Sequence, residues 1–319
     1  MSAWLKLVGR TAIAAVTSRV MDAPLCLLQV HAHPDDEASK GAATTARYVD
    51  QGVRCVLVCC TGGEEGDIIN KELDRPEVKE NIAEVRRAEL DDSVKIIGYD
   101  ALHMLGYRDS GMPESEANAR PDNFANANFD EAVGRLVAII RSERPQVVIT
   151  YGEDQSRYPH PDHLQVHAIT IPAFERAGDE VWYPEAGDPW QPQKLYYSHG
   201  FSRGRLLKMH QWFIDRGEES PFAEWISKIA DDHDTNVSTR IDVGNWLGVG
   251  RDALLAHRTQ VPPDGFWFRV PLEEMRTLHP FEEYQLARSL AFLGQGAGPS
   301  SGAADTNQFE TDLFAGLLD

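Results

Sequence analysis

The chain lacks any apolar run long enough to cross a membrane. A membrane-spanning helix needs about 18 or more consecutive apolar residues, and no stretch of the sequence provides them. Basic residues are also scarce, because 31 lysines and arginines face 50 aspartates and glutamates and leave a formal charge of −19. Such an excess of carboxylates repels phosphate backbones and anionic lipid heads. The sequence therefore predicts a cytoplasmic protein with no nucleic-acid partner and no membrane partner.

Cysteine is rare as well, and the four that occur form no redox or zinc motif. Cys26, Cys55, Cys59 and Cys60 lie in the apolar runs PLCLLQV and RCVLVCC, without a spaced CxxC pair. This placement fits small buried side chains in a reducing compartment better than it fits disulfides or metal ligands.

The length suits one large α/β unit better than several small domains. We expect a main domain at 21–293, made of a core at 24–200 and a C-terminal cap part at 201–293. Residues 1–20 mix basic side chains with a short apolar patch, and we expect a poorly ordered extension there rather than a signal peptide. The end of the chain, 294–319, is rich in Gly, Ser and Ala and predicts a flexible linker whose last residues either dock or are disordered.

Short apolar runs alternate with helical patterns in the first half of the chain. Four of these runs are typical of buried strands, at 25–32, 53–60, 101–105 and 146–152. Helices are predicted between them, at 37–50, within 76–98 and at 129–144, and the later half adds one strand candidate, KLYYSHG. This alternation predicts an α/β fold, a Rossmann-like and mostly parallel sheet with helices on both faces and an elaborated C-terminal part.

Two clusters of polar side chains directly follow the first and fourth predicted strands. HAHPDDE begins at His31 after the first strand, and YPHPDH begins at Tyr158 after the fourth. In doubly wound sheets the strand order 3-2-1-4 is common, and ligands bind at the carboxyl ends of the strands where that order reverses. We therefore expect the two clusters to face each other across one crevice.

A nucleotide is not the expected occupant of this crevice. The first turn has no G-x-G-x-x-G pattern and presents Asp35, Asp36 and Glu37, which would repel a pyrophosphate. Imidazoles with a carboxylate suit zinc, whose catalytic sites keep one position for water, and they also suit ferrous iron. His33 and Asp36 can supply two ligands, and His163 can supply the third. Helix capping by the aspartates, without a metal, is the alternative.

The same residues resemble a known family. HAHPDDE paired with HPDH is similar to the zinc-dependent deacetylases of the PIG-L/LmbE family, which remove an acyl group from N-acylglucosamine units. The resemblance runs from about Leu25 to about Phe292 and includes RDSGMP and AHRTQ. Within the family, HPDDEASKGAATTARY, TGGEEGDIIN and QKLYYSHGF resemble the branch of amidases that act on mycothiol S-conjugates.

The resemblance implies a set of catalytic roles. One zinc ion would be bound by His33, Asp36 and His163, and Asp35 would act as general base and then protonate the leaving amine. His160 would stabilise the oxyanion, with Asp162 orienting its ring. Tyr158 would hydrogen-bond the same oxygen or the substrate carbonyl, or would only pack against the helix.

Contacts to the substrate are implied at three further positions. Arg86 and Asp109 would face sugar and inositol hydroxyls, although Arg86 could instead pair with a glutamate of its own helix. Lys40 would meet the larger cysteinyl conjugate, or would be a solvated helix lysine. His257 and Gln260 of AHRTQ would either cover the cleft or form a structural knot.

The function implied is that of an amide hydrolase acting on a small thiol-sugar conjugate. Its products would be glucosaminyl-inositol and an N-acetylcysteine S-conjugate, which is a detoxification reaction. Two alternatives stay open: removal of acetate from N-acetylglucosaminyl-inositol or another amino sugar, and non-catalytic carbohydrate binding. The paired motifs argue against the binding-only alternative, because it would not need to keep a general base. The sequence leaves monomers and homo-oligomers undistinguished.

Overall fold

A seven-stranded sheet lies at the centre of the molecule. The computed structural model describes residues 24–155, 158–291 and 309–317. The strands are β1 (Cys26–His31), β2 (Arg54–Thr61), β3 (Ala101–Tyr107), β4 (Val147–Tyr151), β5 (Lys194–Ser198), β6 (Thr239–Asp242) and β7 (Phe281–Ser289). Their order is β3-β2-β1-β4-β5-β7-β6, with β1 to β5 parallel and the last two strands antiparallel. The predicted α/β fold class and the reversal of strand order at β1 and β4 are confirmed.

Helices cover both faces of this sheet. They are α1 (Asp36–Ser39), α2 (Ala42–Asp50), α3 (Pro76–Glu80), α4 (Ile82–Ile97), α5 (Phe129–Glu143), α6 (Pro161–Arg176), α7 (Arg203–Ile214), α8 (Ala223–Ser227), α9 (Leu247–Ala256) and α10 (Leu272–Leu278). All six residues of β1 are buried, as expected for a parallel strand covered on both sides. Among the described residues, no helix is long and apolar enough to cross a membrane.

The four cysteines divide between the two layers of core. Cys26 and Cys60 pack in the layer that includes α5 and α6, and Cys55 and Cys59 pack in the layer that includes α2 and α9. All four are free and buried, as predicted. Burial raises the pKa of the Cys26 thiol to about 12, so this side chain is a neutral hydrophobic group rather than a reactive thiolate.

The predicted helix 37–50 is wrong in one respect, because the chain breaks it into α1 and α2 at Gly41. Gly41 has φ +113°, and a Cβ there would lie 3.1 Å from the Gln29 side chain and 3.2 Å from the Tyr284 hydroxyl. Only glycine fits this close approach at that dihedral angle. The break lets the four-residue α1 turn independently at the carboxyl end of β1.

The C-terminal part contributes two strands that the sequence pattern did not reveal. β6 has only four residues, and β7, FEEYQLARS, is half-buried along most of its length. Strict alternation of apolar and polar residues is the usual signal for a strand, and β7 lacks it because charged side chains occur on both of its faces. β7 pairs with β5, so it extends the parallel sheet with an antiparallel edge.

The end of the chain docks on the domain at 309–317, whereas the expected extension 1–20 and residues 294–308 lie outside the described residues. Leu313 and Phe314 are buried in the core layer of α2 and α9. Glu310 accepts hydrogen bonds from Lys194 Nζ at 2.5 Å and from the Tyr196 hydroxyl at 2.5 Å. The last segment therefore supplies the counter-charge of a fully buried lysine.

Replacing Glu310 by alanine is expected to lower the free energy of unfolding by about 3 kcal/mol. Breaking a buried ion pair costs about 3–5 kcal/mol, and the Glu310 side chain is still 19% exposed, which favours the lower end. Urea unfolding followed by circular dichroism measures the change. Thr311→Ala is the matched control, because Thr311 is exposed, and Lys194→Met in the Glu310→Ala background should recover stability. Wild-type stability in Glu310→Ala would contradict the assignment.

Candidate metal and catalytic site

Three side chains from the two predicted clusters converge at the carboxyl ends of β1 and β4. His33 lies in the turn after β1, Asp36 opens α1, and His163 lies in the first turn of α6. Asp36 Oδ2 is 3.4 Å from His33 Nδ1 and 3.4 Å from His163 Nε2. These donor atoms therefore face a common point. The structure brings together the residues that the sequence singled out as ligands.

The spacing of the three donors suits a tetrahedral metal ion. Bonds of about 2.0–2.1 Å at tetrahedral angles place neighbouring donor atoms about 3.3–3.4 Å apart, which is close to the two Asp36 contacts of 3.4 Å. Two imidazoles and a carboxylate also form a typical catalytic zinc set. The Asp36 and His163 side chains are each only 4% exposed, so their polar atoms are positioned in a site that is largely closed to solvent.

Electrostatics around the three donors favour a deprotonated carboxylate. Burial by itself would raise the pKa of Asp36, but the Lys40 ammonium and His163 hold that pKa well below its usual range. Burial lowers the pKa of His163 despite its contact with Asp36. An anionic carboxylate beside a neutral imidazole is the protonation state that binds a divalent cation.

Asp35 has a backbone conformation that its neighbours must maintain. Its φ is +114°, in the left-handed region that side chains other than Gly, Asn and Asp rarely adopt. The Asp35 N–H donates to Glu37 Oε2 at 2.9 Å. Burial and the adjacent Asp36 carboxylate raise the pKa of Asp35 to about 6, although His257 and Lys40 act in the other direction. The Asp35 carboxyl group therefore has a raised pKa, and the hydrogen bond from its backbone N–H to Glu37 holds its backbone conformation.

The brace on Asp35 extends into the C-terminal part of the chain. Glu37 Oε1 is 2.6 Å from His257 Nε2, and both side chains are at most 1% exposed. Gln260 donates to the Pro34 carbonyl at 2.8 Å, and Thr259 donates to both oxygens of Glu89 through its backbone N–H and its hydroxyl. The AHRTQ segment thus has a structural role, because its hydrogen bonds fix the HPDDE turn. It does not cover the cleft.

A second imidazole, His160, lies beside the three donors. It precedes Pro161 at the start of α6, and its Nδ1 accepts the Asp162 backbone N–H at 3.2 Å. The proton of a neutral ring is therefore on Nε2, which is 3.9 Å from Asp109 Oδ1. Burial, together with the charge of His33, lowers the pKa of His160 to about 4. His160 is consequently a neutral hydrogen-bond donor.

The Asp162 carboxylate does not orient His160, which differs from the expectation. Its Oδ2 is 3.1 Å from His33 Nε2 and accepts the Ser110 N–H at 2.9 Å, while Oδ1 accepts the Ser110 hydroxyl. Burial would lower the pKa of His33, but its contacts with Asp109, Asp162 and Asp36 raise it. Asp162 thus orients a metal-facing imidazole from behind, a common carboxylate–histidine arrangement. Ser110 was not singled out by the sequence, although it lies in RDSGMP.

The two tyrosines of the site differ in position. Tyr158 is 54% exposed at the mouth of the site, with its ring 5.3 Å from that of His163 and 5.8 Å from that of His160. Tyr151 ends β4 and stacks on His163 at 4.5 Å with an interplanar angle of 18°. Tyr151 was not predicted as a site residue, because a tyrosine that ends a strand looks like an ordinary core residue.

The three residues expected to touch substrate have other partners here. Arg86 donates to the carbonyls of Gly63, Gly66 and Asp67, so it holds the TGGEEGD loop rather than pairing within its helix. Asp109 is buried and accepts the Gly111 N–H at 2.8 Å, close to the imidazoles. Lys40 donates to Asp36 Oδ1 and, at 3.2 Å, to Ser39 Oγ.

Comparisons with known proteins show which family this chain resembles. A PIG-L family model described as GlcNAc-PI de-N-acetylase matches residues 28–174. Over 302 residues the chain is 44% identical to a mycothiol S-conjugate amidase from Streptomyces coelicolor, covering 92% of this chain and 98% of that one. Over 305 residues it is 37% identical to a 1D-myo-inositol 2-acetamido-2-deoxy-alpha-D-glucopyranoside deacetylase from Streptomyces avermitilis, covering 91% and 97%.

A solved structure shares the fold. N,N'-diacetylchitobiose deacetylase from Pyrococcus horikoshii superposes with a TM-score of 0.57 at 17% identity, over 87% of this chain and 92% of that one. The two sequence relatives are an amidase and a deacetylase, both of which cleave amide C–N bonds, so the predicted class of enzyme is confirmed. The chain belongs to the PIG-L family, as the paired HPDDE and HPDH motifs predicted.

Proposed function

We propose that this chain hydrolyses mycothiol S-conjugates. The bond cleaved joins the glucosamine nitrogen of glucosaminyl-inositol to the acyl carbon of an N-acetylcysteine whose sulfur carries an adduct. Glucosaminyl-inositol and an N-acetylcysteine S-conjugate are the products. The observation that carries this proposal is the 44% identity, over 92% of the chain, to an amidase of that name. The buried free cysteines suit a reducing compartment, so we place the reaction in the cytoplasm.

The metal we propose is zinc, held by His33 Nδ1, Asp36 Oδ2 and His163 Nε2. Ferrous iron accepts the same ligand types and is the alternative. A divalent ion bound there supplies Lewis acidity, which makes water a competent nucleophile near neutral pH. Lys40 donates a hydrogen bond to the other carboxylate oxygen of Asp36, Oδ1. Asp162 fixes the orientation of the His33 ring. These two partners keep the donor atoms pointed at the ion.

Asp35 is the proposed general base. With its pKa raised to about 6 it is mostly ionised near neutral pH and can take the proton of the attacking water. The same carboxyl group then gives that proton to the departing glucosamine nitrogen, which would otherwise leave as an unstable anion. Glu37 and His257 act as positioning residues, because they hold the backbone of Asp35 in its left-handed conformation.

His160 is the proposed partner of the developing oxyanion. As a neutral ring with its proton on Nε2, it can donate a hydrogen bond to the carbonyl oxygen as negative charge forms there. Tyr158, exposed at the mouth, is placed to add a second hydrogen bond to that oxygen or to the substrate.

Arg86, Asp109 and Lys40 form the proposed substrate side of the site. Arg86 shapes the Gly63–Asp67 loop, whose backbone then faces the sugar. Asp109, which lies near the imidazoles, accepts hydrogen bonds from the polyol hydroxyls. Lys40 lies next to the cysteinyl group. Arg86 and Asp109 concern binding more than chemistry, so substitutions there should change KM more than kcat. Lys40 also holds the proposed metal ligand Asp36, so its substitution should lower kcat as well.

Deacetylation of N-acetylglucosaminyl-inositol is the second candidate function. Its support is the 37% identity to a deacetylase over 91% of the chain. The chemistry is the same, and only the acyl group differs, since acetate would leave in place of an N-acetylcysteine conjugate. The two functions therefore differ in what the site accepts beyond the scissile carbonyl.

Comparing kcat/KM for two substrates separates these candidates. We expect the bimane conjugate of mycothiol to be preferred over N-acetylglucosaminyl-inositol by at least about ten-fold, since contacts to the larger acyl group lower the barrier only for the conjugate. The Asp35→Asn protein, purified in parallel, is the control for contaminating hydrolases. A higher kcat/KM for the acetylated substrate would replace the proposal with the deacetylase function.

A further inference from the structure

A concave pocket lies beside α1. We call it the adduct pocket and define it by Ser39, Leu247, Trp267, Met275, Arg205 and His279, which all line it. Its walls combine apolar and aromatic side chains with five polar ones, because Arg251 and Glu282 line it as well as Ser39, Arg205 and His279. Nothing in the catalytic chemistry uses these residues.

The adduct pocket and the metal-ligand cluster share one edge of the sheet. α1 follows the carboxyl end of β1, and α7, which carries Arg205, follows the carboxyl end of β5. β7 is antiparallel, so its first residues, next to His279, lie at this same edge, where Tyr284 pairs with Ser198. The walls of the pocket therefore come from the rim at which the metal ligands sit.

A short chain of hydrogen bonds joins the pocket wall to the metal ligands. Lys40 Nζ donates to Ser39 Oγ at 3.2 Å and also to the Asp36 carboxylate. Ser39 and Asp36 belong to one helical turn, in which residues three apart lie on the same face. The pocket wall and the proposed metal ligand Asp36 are therefore linked through Lys40.

Arg205 gives the pocket a cation that forms no ion pair among the described residues, although the carboxylate of Glu282 also lines the pocket. Its Nε is buried with no hydrogen-bond partner, and among the described residues no carboxylate pairs with its guanidinium. The nearby acids are engaged elsewhere, because Glu282 accepts the Thr44 N–H at 2.8 Å and Glu283 accepts Arg240 Nε at 2.8 Å. A buried polar group without a partner is costly unless a ligand or water satisfies it.

His279 adds a second unsatisfied polar group. It is 4% exposed, its Nε2 lies 3.4 Å from Glu283 Oε2, and its Nδ1 makes no hydrogen bond. Arg205 and His279 therefore offer donors to a ligand in a pocket that Trp267 also lines. That combination suits a flat apolar group that carries an acceptor or a negative charge.

We infer that the adduct pocket receives the group attached to the sulfur of the substrate, and that it favours aromatic adducts, above all those with a carboxylate. This inference rests on the proposed amidase function and adds a specificity determinant to it. The acetyl group of N-acetylglucosaminyl-inositol carries no sulfur adduct and so has no group to place in the pocket. Occupancy of the pocket would therefore distinguish a conjugate from the acetylated sugar.

Filling the pocket tests its role. Leu247→Trp places a large ring against the adduct, so the ratio of kcat/KM for the bimane conjugate to that for N-acetylglucosaminyl-inositol should fall at least about ten-fold. Leu255→Trp, on the same helix α9 but outside this pocket, should leave the ratio unchanged. An unchanged ratio in Leu247→Trp would overturn the inference, whereas a wild-type preference for the acetylated substrate would overturn the amidase function instead.

Arg205→Met tests the pocket independently, because it does not introduce a larger side chain. In the wild type, the S-(4-carboxybenzyl) conjugate of mycothiol should be cleaved with a higher kcat/KM than the S-benzyl conjugate. Loss of the charge-assisted hydrogen bond should reduce that preference about ten-fold, mainly through KM. An equal preference for the carboxybenzyl conjugate in both proteins would show that Arg205 does not recognise the adduct. Melting curves would show whether either variant is unfolded.

Discussion

Replacing Asp35 by asparagine is expected to lower kcat by about a thousand-fold while leaving the metal content unchanged. A positioned general acid or base contributes about 10²–10⁴-fold, and in the proposed mechanism Asp35 serves both proton transfers. Asparagine keeps the size of the side chain and tolerates the left-handed φ of +114°, so the turn itself should persist. Steady-state kinetics on the bimane conjugate and elemental analysis of the same sample measure the two quantities.

The adjacent carboxylate provides the matched comparison. Asp36→Asn changes the same functional group one residue away, but it removes a proposed ligand, so the metal should be lost together with activity. Asp35→Asn and Asp36→Asn should therefore differ in metal content and agree in lost turnover. Near-normal kcat in Asp35→Asn would exclude it as the base, and retained metal in Asp36→Asn would exclude the ligand assignment.

His163→Ala is expected to reduce bound metal from about one ion per chain to a small fraction of that. Removing one of three protein ligands leaves two, and changes to groups that merely orient a ligand already cost about 10–100-fold in affinity. The measurement is elemental analysis after gel filtration in buffer without added metal. The same variant should lose nearly all activity, because the Lewis acid is absent.

A thermal test accompanies that measurement. A bound ion stabilises the folded state by about 2.7 kcal/mol when its free concentration is a hundred times the dissociation constant, so a chelator should lower the melting temperature of the wild type. It should not lower that of His163→Ala. His167→Ala is the control, since His167 lies one turn further along α6 and binds the Tyr151 carbonyl at 3.0 Å. Unchanged metal content in His163→Ala would refute the ligand set.

The strands that position the site, and the polar clusters at their ends, could be predicted from the local sequence pattern. The runs at β1 and β4 are continuous apolar segments, and each ends in an HPD triplet, so strand ends and polar clusters could be located together. The rule that ligands bind where strand order reverses then placed His33, Asp36 and His163 in one crevice. These predictions succeeded because they depend on short-range periodicity and on one topological regularity.

The parts that were missed depend on contacts between distant segments. No periodicity reveals that the Asp162 carboxylate meets Ser110, or that Arg86 binds loop carbonyls instead of a helix neighbour. β7 was missed because a half-buried edge strand rich in charge lacks clean alternation. The buried pair of Lys194 and Glu310 was also hidden, since a glutamate beyond a Gly/Ser-rich segment looks like part of a solvated tail.

The contact between Glu37 and His257 has a consequence for biosynthesis. The two residues are 220 positions apart, and a ribosome adding about 5–20 residues per second takes tens of seconds to cover that distance. During this interval the growing chain carries the HPDDE turn, but the brace on Asp35 has not been made. Hydrolytic competence is therefore acquired only after the C-terminal part has been translated and packed. An incomplete chain can display the histidines and aspartates without yet being an amidase.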